Sequence, residues 1–103
     1  MLDFYLISDE DEMWDEPLEA SRIGAFSLEE WKSLSNLLTA FENNGILLSY
    51  FQDTRIDSKQ VTVAIKLIEE YDRQKNVDPV RKNFKEMICK ALIQGKGIIS
   101  FCD

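Results

Sequence analysis

Leu2-Asp3-Phe4-Tyr5-Leu6-Ile7 runs without a break into Ser8-Asp9-Glu10-Asp11-Glu12, and the join between these two stretches decides the fold. The first six residues are apolar and aromatic with imperfect alternation, the pattern of a buried or half-buried strand. The residues after them cannot prolong it, because adjacent like charges repel and aspartate is poor in a pleated ladder. Strand therefore gives way to loop at Ser8. The loop is expected to continue through residues 8–21, with Pro17 reinforcing the break, before a brief strand around Arg22 to Phe26.

A lone strand does not stand in water, and the other good candidate, Ile98-Ile99-Ser100-Phe101, lies at the opposite end of the chain. The two ends are expected to pair. Between them the sequence reads as helix. Ser27 and Glu30 form a reciprocal capping box, opening a helix on which Trp31, Leu34, Leu38 and Phe41 recur, with Asn43-Asn44-Gly45 as the stop. Ile46 to Phe51 is apolar and aromatic but too short to assign, and is read as irregular.

Asp57 and Gln60 make a second capping box for a helix through about Gln74, whose inner face is Val61, Ala64, Ile65, Ile68 and Tyr71, widened by Val63 and Leu67. Asp78 as N-cap and Pro79 at the first helical position open a third helix. Its buried stripe is Val80, Phe84, Met87, Ile88, Ala91 and Leu92, which leaves Arg81, Lys82, Lys85 and Lys90 to face water or acid; Gly95 and Gly97 end it. The expected architecture is a single α+β domain over residues 1–103, with a sheet of two or three strands covered by three helices.

At 103 residues there is little chain beyond one core. Neither a repeat nor a Gly/Ser-rich linker is present. The formal charge of -7 argues against binding nucleic acid directly, since phosphates must be neutralised by Lys and Arg. It equally disfavours an anionic membrane, and it favours a basic protein partner. The charge is also local: residues 1–30 carry ten acidic side chains and one basic one, Arg22.

Enzymatic readings begin with a deficit, because the chain has no histidine, the commonest general base and metal ligand. Cys89 and Cys102 are read as inert reduced thiols in the cytoplasm, in a chain expected to carry no leader and no membrane span. Paired carboxylates abound in residues 9–16, but a catalytic acid needs a desolvated site and this density of charge signifies exposure. An EF-hand register from Asp9 fails, placing Met13 at the fifth position, Trp14 where Gly is needed and Ala20 where Glu is needed. No catalytic residue, cofactor or metal ligand is therefore expected.

Binding remains. Asp9, Glu10, Asp11, Glu12, Asp15 and Glu16 would supply attraction and Trp14 an apolar anchor within a charged rim. Two other accounts of the block stand beside this one. It is a solubilising loop, or Trp14 folds back as a lid on the core. Arg81, Lys82, Lys85 and Lys90 would neutralise the block if it packed on the third helix. Asp53 and Arg55 lie between two apolar elements and read as a structural Asp and Arg tying that connecting segment to a helix start, rather than as a ligand site. A further alternative is a structural or regulatory subunit that binds through an apolar and aromatic surface around Trp31, Phe41, Tyr50 and Phe51.

Three segments in order, Met1-Leu2-Asp3-Phe4-Tyr5-Leu6-Ile7-Ser8-Asp9-Glu10, Phe51-Gln52-Asp53-Thr54-Arg55 and Gly95-Lys96-Gly97-Ile98-Ile99-Ser100-Phe101-Cys102-Asp103, resemble the small acidic immunity proteins encoded beside bacterial toxins in polymorphic-toxin and contact-dependent inhibition systems. The resemblance implies a cytoplasmic, non-enzymatic protein that binds its cognate toxin and occludes a basic active site. It nominates the acid loop as the binding element.

Overall fold

The two ends of the chain pair as expected. In the computed structural model, which describes residues 1–14, 16, 18–74, 76 and 78–102, β1 (Leu2–Ile7) runs antiparallel to the C-terminal strand Gly97–Cys102. Leu2 lies opposite Cys102 and Ile7 opposite Gly97. On its other side β1 takes β2 (Arg22–Phe26), with a bulge between Phe4 and Tyr5. A fourth strand, β3 (Thr54–Ile56), joins the outer side of the C-terminal strand, β4. The sheet is wholly antiparallel in the order β2-β1-β4-β3.

The strand β3 lies within a stretch that carries no strand-length apolar run. Its position is set by side chains instead. Asp53 Oδ1 accepts from the Cys102 N–H at 3.1 Å and sits 3.5 Å from the Cys102 thiol. The Thr54 and Ser100 hydroxyls meet at 2.6 Å, satisfying the one fully buried serine.

Four helices rather than three are present among the described residues, because the first expected helix is interrupted. It forms α1 (Leu28–Ser33) and α2 (Ser35–Asn43), with Leu34 between them at φ -91° and ψ 3°. The Ser33 hydroxyl donates to the Glu30 carbonyl at 2.6 Å, a local bond that competes with the helical ladder. The break lets Trp31, Leu34, Leu37 and Phe41 all enter the core, whereas Leu38 is only half-buried.

The remaining helices, α3 (Ser58–Gln74) and α4 (Pro79–Gln94), start where their caps place them. The Ser27–Glu30 box closes at 2.9 and 3.2 Å and the Asp57–Gln60 box at 2.9 and 2.8 Å. Asp78 accepts from the Val80 N–H at 2.9 Å, and Gly95 ends α4 in the left-handed conformation at φ 65°.

All four helices contribute to one core on a single face of the sheet, against Leu2, Phe4, Leu6, Phe26, Ile56 and Ile98. Phe84 of α4 is its hub, with Phe26, Trp31 and Phe41 ring centroids at 5.6, 5.9 and 5.9 Å. Phe41 therefore belongs wholly to the interior, which corrects its expected place on an aromatic binding surface, while Trp31 is buried with one edge left to line a groove. At the margins, Val80 and Tyr71 are half-buried, while Val63 and Leu92 are exposed.

Arg81, expected to face water or acid, faces acid, and it is buried as well, with Nε donating to Asp72 of α3, an Nη donating to the Asn76 carbonyl and the guanidinium over the Tyr71 ring. Lys85 Nζ approaches the same Asp72 at 3.9 Å. Two of the four α4 cations, Arg81 and Lys85, are thus answered by an acid of α3, and among the described residues none of the four pairs with the acidic loop.

Gly97 is required by close approach: a Cβ there would stand 2.3 Å from the Ile56 carbonyl oxygen, where β3 leads into α3. The atoms it would meet, in Ile56 and Asp57, are all backbone, which leaves nothing flexible to yield. Gly97→Ala is expected to destabilise the fold by about 2–3 kcal/mol, read from urea unfolding at unchanged slope.

Candidate functional site

Strand alternation makes β1 a two-sided element. Leu2, Phe4 and Leu6 enter the helical core, whereas Tyr5 and Ile7, with Ile99 and Phe101 of β4, form a separate buried cluster on the opposite face. These four are 3%, 1%, 0% and 8% exposed, although no helix residue belongs to their cluster. Among the described residues the partly buried apolar side chain packed on them is Trp14, its ring edge-on to Tyr5 at 6.2 Å and 67°. The acidic segment at Trp14 therefore lies on the outer face of the sheet, and Trp14 folds back as a lid.

The root of the loop is held by polar contacts. Asp9 accepts from the Ser58 N–H at 3.0 Å and from the Ser58 hydroxyl, and so caps the first turn of α3 from another part of the chain. Arg55 donates one Nη to the Ser8 carbonyl at 2.9 Å and to the Asp9 carbonyl at 3.4 Å. Asp53 and Arg55 are thus structural, one fastening β3 to the end of β4 and the other fastening β3 to the loop root. The Asp11 N–H donates to the Ser8 carbonyl at 3.0 Å, turning the chain. At the far end, Arg22 of β2 pairs with Asp3 at 2.9 Å, and a short 3-10 turn at Glu19–Ser21 leads back into the sheet.

Of the residues expected to meet a partner, Asp9 is committed to α3 and Trp14 partly to the sheet. Glu10, Asp11, Glu12 and Glu16 are exposed, and among the described residues none of them forms an ion pair. Asp15 lies outside the described residues, as does Pro17. Met13 and Leu18, 46% and 52% exposed, are the apolar side chains that the loop presents outward. With Trp14 and Glu16 they border an open recess of about 530 Å³.

A second surface is more apolar. Leu28, Trp31, Leu38, Leu48 and Phe51 line a groove of about 400 Å³ between α1, α2 and the irregular segment at residues 46–51. Phe51 is 75% exposed and Leu47 60%. Nothing in the periodicity marked Leu47, because the segment has no regular element to give it a face. Among the described residues no three cysteines or carboxylates converge as a metal site, and no helix is long and apolar enough to cross a membrane. Comparison of the chain with protein-family models, with curated proteins and with solved structures found no match.

The Asp9 carboxyl is held below the ordinary aspartate value of 3.8, first by the Ser58 hydroxyl, then by the Ser58 N–H, with Arg55 and Lys59 adding attraction. A carboxyl lowered on folding stabilises above its ordinary value, and that contribution is lost as the pH falls through the lowered one. The carboxylate form that accepts from Ser58 is accordingly the one present at neutral pH. A carboxyl-resolved NMR titration is expected to give Asp9 a midpoint below 3.8 that rises towards it in Ser58→Ala. Equal midpoints in the two proteins would rule out the Asp9–Ser58 hydrogen bond.

Proposed function

We propose that this chain is a non-enzymatic, cytoplasmic binding protein that presents Glu10, Asp11, Glu12 and Glu16 to a basic protein and occludes that partner's functional site. The observation that carries the reading is the state of these carboxylates: four exposed acids beside a loop root already fixed by Asp9 and Arg55, with no internal cation answering them among the described residues. A fold gains little from uncompensated like charges held close together, whereas an electrostatically complementary partner gains both association rate and specificity. The resemblance to immunity proteins of bacterial toxin systems gives the partner class: a toxin domain with a basic cleft, such as one that handles nucleic acid.

The apolar groove favours a second reading, in which the chain is a structural or regulatory subunit that docks through Leu47 and Phe51. The two readings differ in their response to salt, since burial of apolar surface is not screened.

The test is affinity capture of the tagged chain from its own cells at low and high salt, followed by kinetics with the captured protein. Under the acidic reading, Asp11→Lys with Glu12→Lys slows association by about tenfold at low salt and by much less at high salt. Equal rates at both salts would exclude it. Under the groove reading, Phe51→Asp abolishes a salt-insensitive capture that the charge reversal leaves intact.

A further inference from the structure

Two contacts of different kinds hold the acidic segment at its two ends. At Asp9 the contact is polar, through both donors of Ser58 and through Arg55, which grips the carbonyls of Ser8 and Asp9. At Trp14 it is apolar, through the Tyr5 ring, which is itself edge-on to Phe101 at 5.6 Å. Between them Glu10, Asp11 and Glu12 are exposed, and the Asp11 N–H closes a turn onto the Ser8 carbonyl. Three successive carboxylates in a free segment would spread apart to lower their repulsion. Here both ends of the segment are fastened to the sheet and to α3.

We propose that residues 8–14 act as a two-point strap which fixes Glu10, Asp11 and Glu12 as a preformed array, and that Trp14 is a positioning residue of this array rather than a contact made to the partner. The use of the array rests on the partner-binding reading above; the strap belongs to the isolated chain. A segment ordered beforehand loses less conformational freedom on association, so a short acidic array can bind more tightly than the same residues in a flexible tail. The apolar contact on the partner then falls to Met13, which stands outward where Trp14 turns in.

The strap makes the two ends interdependent although they share no contact, and the full chain can be tested without any partner. Trp14→Phe retains an aromatic ring on Tyr5 and supplies the emission of Trp31 alone, which is subtracted to isolate Trp14. In Asp9→Ala, Trp14 emission is expected to shift to longer wavelength and the Asp11 amide to exchange about tenfold faster, as for local opening rather than global unfolding. Trp14→Ala should accelerate Asp11 exchange by a comparable factor, Trp14→Phe should restore its protection, and melting temperatures should fall by no more than the several degrees that a tenfold change implies.

Unchanged Trp14 emission in Asp9→Ala, or unchanged Asp11 exchange in Trp14→Ala, would overturn the strap. If Asp9→Ala does not fold, Ser58→Ala carries the same expectation, since it removes the hydroxyl donor alone. Because every readout is made without a partner, an intact strap in a chain that captures no basic protein would sink the partner-binding reading and leave the strap standing.

Discussion

The rest of the structure depends on burying β1 from both sides. A strand with Leu2, Phe4 and Leu6 on one face and Tyr5 and Ile7 on the other needs two covers, and four helices supply only one. Antiparallel sheets ordinarily resolve this by leaving the second face polar. This sheet does so in part, where Asp3 of β1 pairs with Arg22 and where Arg55 stands opposite Ile99. Elsewhere the face is apolar, and Trp14 packs on it. The loop that follows β1 is therefore part of the fold, and its acidity and its covering role have to be satisfied by the same few residues.

Those two demands are reconciled by dividing the labour along the segment. Asp9 gives up its freedom to cap α3, and the guanidinium of Arg55 bonds two backbone carbonyls, leaving the exposed carboxylates unneutralised. On the helical side the charge is handled separately, Asp72 taking Arg81 and Lys85. The acidic and basic regions of the sequence do not cancel against each other. That separation keeps the field of Glu10, Asp11 and Glu12 directed outward from the sheet, where it can act on a partner within a Debye length.

Local signals were legible in the sequence, and long-range ones only where apolar pattern carried them. Both capping boxes and the Asp78-Pro79 start encode their geometry within four residues, and the apolar ends of the chain had few alternatives to pairing. The strand β3 was not legible: a three-residue edge strand has too few side chains to show a period, and its place comes from Asp53 and Thr54 reaching residues nearly fifty positions away. The split at Leu34 was not legible either: the apolar period runs through it, and the Ser33 hydroxyl bond that accompanies it is of a kind that Thr39 and Thr62 make inside unbroken helices. Arg81 read as facing water or acid; its burial, and the identity of the acid, required a neighbouring helix to bring Asp72 and Tyr71 to it. In the candidate site the composition identified the segment, while the distinction between acids that anchor and acids that project needed the position of Ser58.

Trp14 shows why a tryptophan among acids admits two readings. A segment too charged to join the sheet can still be held against it by one side chain with enough contact area, and tryptophan offers the most. Half-burial of such a ring contributes about 1–2 kcal/mol, which is comparable to the cost of ordering the backbone of only one or two residues. The ring alone cannot hold the segment, and this is the physical need for a second attachment at Asp9. In the proposed strap, opening at Trp14 would uncover part of the Tyr5, Ile7, Ile99 and Phe101 cluster without disturbing the helical core, so the state of the acidic array and the covering of the outer sheet face would rise and fall together.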